Sequence, residues 1–177
     1  MLLDWLGSAL AGCATAPGAT LLAYGDAEPE GGATVIGGKG ARSAETAAFV
    51  NGALSHIVEM DSAVLRGDAG LGAFGEDSIR DSRIRELTSK VHARIEGEIE
   101  ARYPAEWPAR VRVCLANGAT LDAETRYPKG DPENPLSRTE IEEKFSTLAA
   151  FGGFEGASNG FREWVRSLPR LATVRLP

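Results

Sequence analysis

The sequence predicts an α+β protein: a helical N-terminal segment, a small α+β unit with a three-stranded antiparallel sheet, and C-terminal helices. Three observations predict it. Ala44 to Asp61 (AETAAFVNGALSHIVEMD) carries the longest helical spacing in the chain, and RVRVCLANGATLDAETRY alternates on both sides of Asn117-Gly118. Between them, Ser62 to Ser78 turns to glycine and small residues with no period, which marks the main boundary. The 177 residues, 43% of them apolar, are enough to bury a core in one ordinary domain or two small ones.

Leu2 to Ala11 reads as a helix with Leu2, Leu6, Ala9 and Leu10 on one side, closing on Gly12. Ala19 to Tyr24 is a second short helix, and the Gly31-Gly32 turn leads into ATVIG, one extended segment. Gly37-Gly38-Lys39-Gly40 stands where a phosphate-cradling loop would, yet its spacing matches neither G-x-G-x-x-G nor G-x-x-x-x-G-K-[ST], and a plain turn is the better reading. The main helix follows. Ala47, Val50, Leu54 and either Ile57 or Val58 form its apolar stripe, with Gly52, His56 and Glu59 along a neighbouring one. A glycine one turn before a histidine leaves room for a small ligand or a second helix. Asp61, near the helix end, opposes the helix dipole, a mild hint of function.

Beyond the boundary, Asp81 to Ser89 is a short helix through Ile84 and Leu87. Val91, Ala93 and Ile95 then alternate with His92, Arg94 and Glu96, as a half-buried third strand does, with His92 facing out. Asn117-Gly118 is the preferred pair for a type I′ turn, and Val111, Val113 and Leu115 can meet Leu121, Ala123 and Thr125 across the ladder. Cys114, within this ribbon, reads as packing. A two-stranded ribbon is marginal alone, so the Val91 strand and the following helix are expected to cover it. Three prolines stiffen Pro128 to Pro135, and Ser137-Arg138-Thr139-Glu140 is a capping box. The helix it starts runs through Ile141, Phe145 and Leu148 to Gly152-Gly153. A last helix passes Trp164 and Leu168 before Pro169 separates a final short turn.

A net charge of −6 and scattered basic residues argue against non-specific nucleic-acid binding. Cys13 and Cys114, the only two cysteines, fall short of the four ligands a structural zinc or iron–sulfur cluster usually takes, so no metal is expected and free thiols are the better reading. The apolar opening contains Asp4, has no basic start and is too short to span a bilayer. These features read as a soluble, cytoplasmic protein without membrane or nucleic-acid partners.

AAFVNGALSHIVEMD, preceded by LLDWLGSALAG and ATVIGGKGAR, resembles the N-terminal helical domain of the MmgE/PrpD family, which includes 2-methylcitrate dehydratases, cis-aconitate decarboxylase and iminodisuccinate epimerase. RIRELTSKV, VRVCLANGAT, YPKGDPENPLSRTEIEEKF and the closing helices resemble that family's smaller α+β domain and its return to the helical one. The resemblance implies four stretches: residues 1–62 from the helical domain, 63–78 a glycine-rich junction, 79–150 from the second domain, and 151–177 returning to the helical part. Family members are far longer. The part missing from this chain falls at the junction, including the second Asp and the His-Pro that follow the family's Glu-x-Asp, and the middle helices with their further histidines and lysine.

The family's reactions disturb a carbon next to a carboxylate in a small polycarboxylic acid, without metal or cofactor. What the resemblance carries over is Glu59 and Asp61 as acidic catalytic residues with His56 beside them, and little else; Lys129, Asn51 and Arg42 are the substrate-binding candidates, Lys129 and Arg42 with Lys39 being the nearest cations by sequence logic. Glu59 or Asp61 would be the base, His56 the acid or an orienting partner. On the residues alone the blander readings are a core or rim histidine, two solvated helix-end acids and a surface lysine. Two functions follow. One is a shortened lyase that works weakly or completes its pocket across a homodimer, the oligomer the resemblance implies. The other is a non-catalytic interaction or scaffold remnant, which predicts exposed apolar surface.

Overall fold

The structure, a computed structural model, describes residues 2–58 and 76–170. It is α+β, with eight α-helices and two antiparallel two-stranded sheets among the described residues. The chain divides into two compact units, one made of Met1–Asp61 with Ser137–Pro177, the other of Ser62–Leu136.

The first unit is built around α1 (Leu2–Cys13), which packs against both α3 (Ala44–Ile57) and α7 (Arg138–Phe151). Leu6 to Gly12 are buried without interruption, so α1 is enclosed rather than one-sided. The longest periodic stretch is therefore not the centre of the core. Glycine permits the closeness: a Cβ on Gly12 would overlap the Leu54 carbonyl of α3. Leu6, Leu10, Val50, Leu54, Phe145 and Leu148 are the largest fully buried side chains. The α3 stripe is Ala47, Val50 and Leu54, with Ile57 rather than Val58 packed on the core. Lys144, itself buried, lies 2.7 Å from Asp4 Oδ1 and ties α7 to α1.

Between α1 and α3 run α2 (Ala16–Ala27), β1 (Glu30–Thr34) and β2 (Ala41–Arg42). Thr15 caps α2 by accepting from the Gly18 N–H at 3.0 Å, with Pro17 in the first turn, where its missing N–H is no loss. Ser43 caps α3 by accepting from the Thr46 N–H at 3.1 Å. At the other end, Ser137 and Glu140 close the expected capping box, and Gly152 ends α7. After a short 3₁₀ turn, α8 (Ser158–Ser167) sets Phe161 edge-on to Phe145 at 6.4 Å. Leu168–Arg170 forms one 3₁₀ turn, and the rest of the C-terminal segment lies outside the described residues.

The second unit contains α4 (Glu76–Arg80), α5 (Ser82–Thr88), α6 (Gly97–Glu100), β3 (Ala109–Cys114) and β4 (Thr120–Thr125). Asp81 caps α5 by accepting from the Arg83 N–H at 2.8 Å. The expected third strand does not form: residues 91–96 have no ladder partner, and Val91 and Ile95 are 73% and 83% exposed. Alternation shows only that a segment suits a sheet. Here Glu96 is tied to β3 through its side chain, at 2.8 Å from Arg110, and not through a backbone ladder.

The hairpin turn also differs from the expected two-residue type. The Leu115 N–H bonds the Ala119 carbonyl at 2.8 Å and the Gly118 N–H bonds the Leu115 carbonyl at 3.0 Å, enclosing Ala116, Asn117 and Gly118. Gly118 is left-handed with φ 84°, as the last position of such a three-residue loop requires. Register explains the choice. This loop pairs Val113 with Leu121 and Val111 with Ala123, whereas a two-residue loop would set Val113 opposite Asp122. Cys114 is on the opposite, charged face and is exposed, a correction to its reading as a packing residue. No described residue of this unit is buried.

Candidate functional site

His56 occupies the last turn of α3 and is exposed. Beside it, one turn back, Gly52 borders open space, since an added Cβ would meet nothing within 4 Å. Room of the kind read from the sequence is present, facing outward. Glu59 and Asp61 lie outside the described residues.

Arg42 and Asn51 belong to the corner where α2, β1, β2 and α3 meet. Buried Arg42 donates from Nε to the Gly25 carbonyl at 2.7 Å and from Nη2 to the Asp26 carbonyl at 3.1 Å, with the Asp26 carboxylate 3.6 Å away. It binds the last carbonyls of α2, a favourable position for a cation. Asn51 Oδ1 accepts from the Ile36 N–H at 2.8 Å, and its Nδ2 donates to the Thr34 carbonyl at 2.9 Å. That clasp holds the strand exit against α3. Both side chains complete backbone hydrogen bonds of the fold.

The glycine-rich Gly37–Gly40 stretch is a turn. The Gly38 N–H closes on the Val35 carbonyl at 3.1 Å, and the Asp26 carboxylate accepts from the Lys39 N–H at 3.1 Å. A carboxylate thus holds a position that a phosphate would have to take. Lys129, in the second unit, donates from Nζ to the Pro135 carbonyl at 3.0 Å. The Gly130 N–H bonds the Asn134 carbonyl at 2.8 Å, and Asn134 Nδ2 bonds the Tyr127 carbonyl at 3.0 Å, so the Pro-rich connector is a self-bonded loop.

A cleft of about 630 Å³ in the first unit was not foreseen from the sequence. Leu3, Ile141, Val165 and Pro169 supply its apolar surface, and Arg138, Glu142, Arg162 and Arg166 its charge. Glu142 accepts from Arg166 at 2.9 Å and Arg138 at 3.1 Å, and these guanidiniums hold its carboxyl below the usual range. The i,i+4 spacing of Arg138 and Glu142 signals the pair, but not the cleft. Of the site candidates read from the sequence, the described ones, Arg42, Asn51, His56 and Lys129, do not line it. Among the described residues, no three His, Cys, Asp or Glu side chains converge as metal ligands. Cys13 donates to the Ala9 carbonyl at 3.3 Å, and burial pushes its thiol up to about 11, far from nucleophilic use.

Residues 33–168 match the MmgE/PrpD C-terminal domain. The chain belongs to the MmgE/PrpD family. No curated protein and no solved structure matches it. The MmgE/PrpD match begins in β1, takes in α3 with Asn51 and His56, and ends just beyond α8. It thus includes Lys129 in the Pro-rich loop. Among the described residues no single helix is long and apolar enough to cross a membrane.

Proposed function

We propose that this MmgE/PrpD protein is an internally shortened relative of the lyases that dehydrate or decarboxylate small polycarboxylic acids of the 2-methylcitrate or cis-aconitate type. In this form it turns over little or no substrate and acts, in the cytoplasm, through association. One observation carries the reading: Arg42 and Asn51, two of the three candidates for holding substrate, spend their polar atoms on backbone groups. Elimination next to a carboxylate needs a base for the α-proton, an acid for the leaving group, and cations for the remaining carboxylates. Glu59 or Asp61 is the base in this proposal, and His56 the acid or its orienting partner. A trianion brought to the carboxylates of Glu59 and Asp61 is repelled unless cations offset them. The lack of any buried described residue in the second unit supports an associating role, because such a unit gains a core by binding.

The test is product formation. Purified protein incubated at high concentration with 2-methylcitrate or cis-aconitate, and followed by NMR, is expected to give no product above a Glu59→Gln control. Product that appears with the parent and disappears with Glu59→Gln overturns the inactive reading. It would favour the alternative, a weak lyase completed across a homodimer, for which the open space beside Gly52 and His56 speaks.

A further inference from the structure

We infer that the cleft between α7, α8 and the start of α1 binds an organic monoanion with an apolar tail, a medium-chain carboxylate being the simplest example. The inference goes beyond the proposed function, since it needs neither lyase chemistry nor association. The cleft's volume of about 630 Å³ falls within the roughly 300–1,000 Å³ of small-molecule sites.

Its walls follow from helical spacing. Arg138, Ile141 and Glu142 share one stripe of α7, and Arg162, Val165 and Arg166 share one of α8, each at i, i+3, i+4. Two ties join the helices: Ser146 accepts from Arg162 at 3.2 Å, and one turn away Glu142 accepts from Arg166 at 2.9 Å. Leu3 from α1 and Pro169 beyond α8 extend the apolar lining that Ile141 and Val165 begin.

Three guanidiniums and one carboxylate line this space, in a chain whose net charge is −6. Glu142 accepts from Arg138 and Arg166, and Arg166 also pairs with Glu163. Arg162 is different. It donates to the Ser146 hydroxyl and to the side-chain oxygen of Asn159, both neutral, and among the described residues no carboxylate lies within ion-pair distance of it. Those two bonds hold the guanidinium in place without neutralising it. Its fork matches a carboxylate, and apolar neighbours strengthen that attraction by lowering the local dielectric.

The same arrangement excludes other ligands. A cation meets an excess of positive charge, and a neutral apolar molecule leaves Arg162 unanswered. A tricarboxylate finds one guanidinium without a carboxylate for its three charges, and sets the rest against Leu3, Ile141 and Val165. An acyl chain covers those side chains instead, and each methylene removed from water tightens binding about fourfold.

The test titrates the full chain with butyrate, hexanoate and octanoate below their micelle concentrations, followed by NMR of backbone amides and arginine Nε–H groups. Octanoate should bind with a Kd on the order of 0.1–1 mM, hexanoate about tenfold more weakly and butyrate more weakly still. The shifts should centre on Ile141, Val165 and the Arg162 Nε–H. Octylammonium and 1-octanol keep the tail without the negative charge, and citrate keeps the charge without the tail. Each should bind at least tenfold more weakly than octanoate. Arg162→Gln should weaken octanoate at least tenfold, Arg162→Lys should recover part of the loss, and Lys90→Gln in the other unit should change nothing. Far-UV circular dichroism and an unfolding midpoint matching the parent guard against misfolding of Arg162→Gln. Pro169→Glu, which puts a negative charge at an exposed position of the cleft, gives a second reading and should also weaken octanoate at least fivefold. Absence of octanoate binding overturns the inference, as does equal binding of octanol or citrate. So do shifts confined to the β3–β4 ribbon, or an affinity indifferent to both the Arg162 and the Pro169 variants.

Discussion

Asn51 is the residue at which a binding role and a folding role part most cleanly. Its amide joins the Ile36 N–H and the Thr34 carbonyl, and removing it leaves both backbone groups without that partner. Asn51→Ala is expected to cost about 1–3 kcal/mol, read in urea unfolding as a lower midpoint at unchanged slope. A loss of ligand affinity at unchanged stability would instead make Asn51 a binding residue. The two thiols give a second residue-scale prediction. With Cys13 pushed up to about 11 by burial and Cys114 exposed, iodoacetamide at pH 8 should modify Cys114 quickly and Cys13 only after unfolding, as peptide mass spectrometry would reveal. Equal rates in the folded protein would refute the burial of the Cys13 thiol. Neither Asn51 nor Arg42 shows its partners in the sequence, because Thr34, Ile36, Gly25 and Asp26 reach them only when α2, β1, β2 and α3 fold into one corner.

Among elements, those closed by local chemistry were the most legible. The capping box at Ser137 and Glu140 is a matter of four consecutive residues, and it forms as read. Ser137→Ala should destabilise the first unit by about 1 kcal/mol, measured by thermal or urea unfolding. Gly12 tests the crossing of α1 and α3. Even a methyl group there overlaps the Leu54 carbonyl, so Gly12→Ala should cost about 2 kcal/mol or more, with loss of near-UV circular dichroism if the helices separate. An unchanged midpoint would mean that the helices do not cross so closely. The hairpin was half legible: Asn117-Gly118 marked the turn, but the loop length came from pairing apolar with apolar across the ladder. The strand expected at Val91 failed for a related reason, since its alternation carried no information about a partner edge.

At the scale of the molecule, the two units differ in what holds them. The first has a dry core around α1, while the described part of the second relies on arginine–carboxylate pairs. Arg126 and Arg102 beside Glu106 hold its carboxyl down to about 2, and Arg102 and Arg110 lower Glu124. A depressed carboxylate contributes stability that is fully present above the ordinary value of 4.5 and is lost as pH falls toward about 2. The hairpin, followed by NMR, should therefore be steady from neutral pH to about 4.5 and melt below it, and high salt should weaken it because these pairs are exposed. Hydrogen exchange should find α1 amides protected and β3–β4 amides fast in dilute solution. Slow exchange throughout β3 and β4 at low concentration would show that the ribbon already has a cover.

What the sequence determined by itself was whatever lies within a few residues or one period: an α+β class, the capping box at Ser137, the place of the hairpin, and motifs specific enough to point to the MmgE/PrpD family. Tertiary structure alone decided that α1 and not α3 is enclosed, that Arg42 and Asn51 serve the backbone, and that the Val91 segment stays unpaired. The physical reason is that periodicity records which face of a segment avoids water, whereas the group that meets it is chosen by long-range packing.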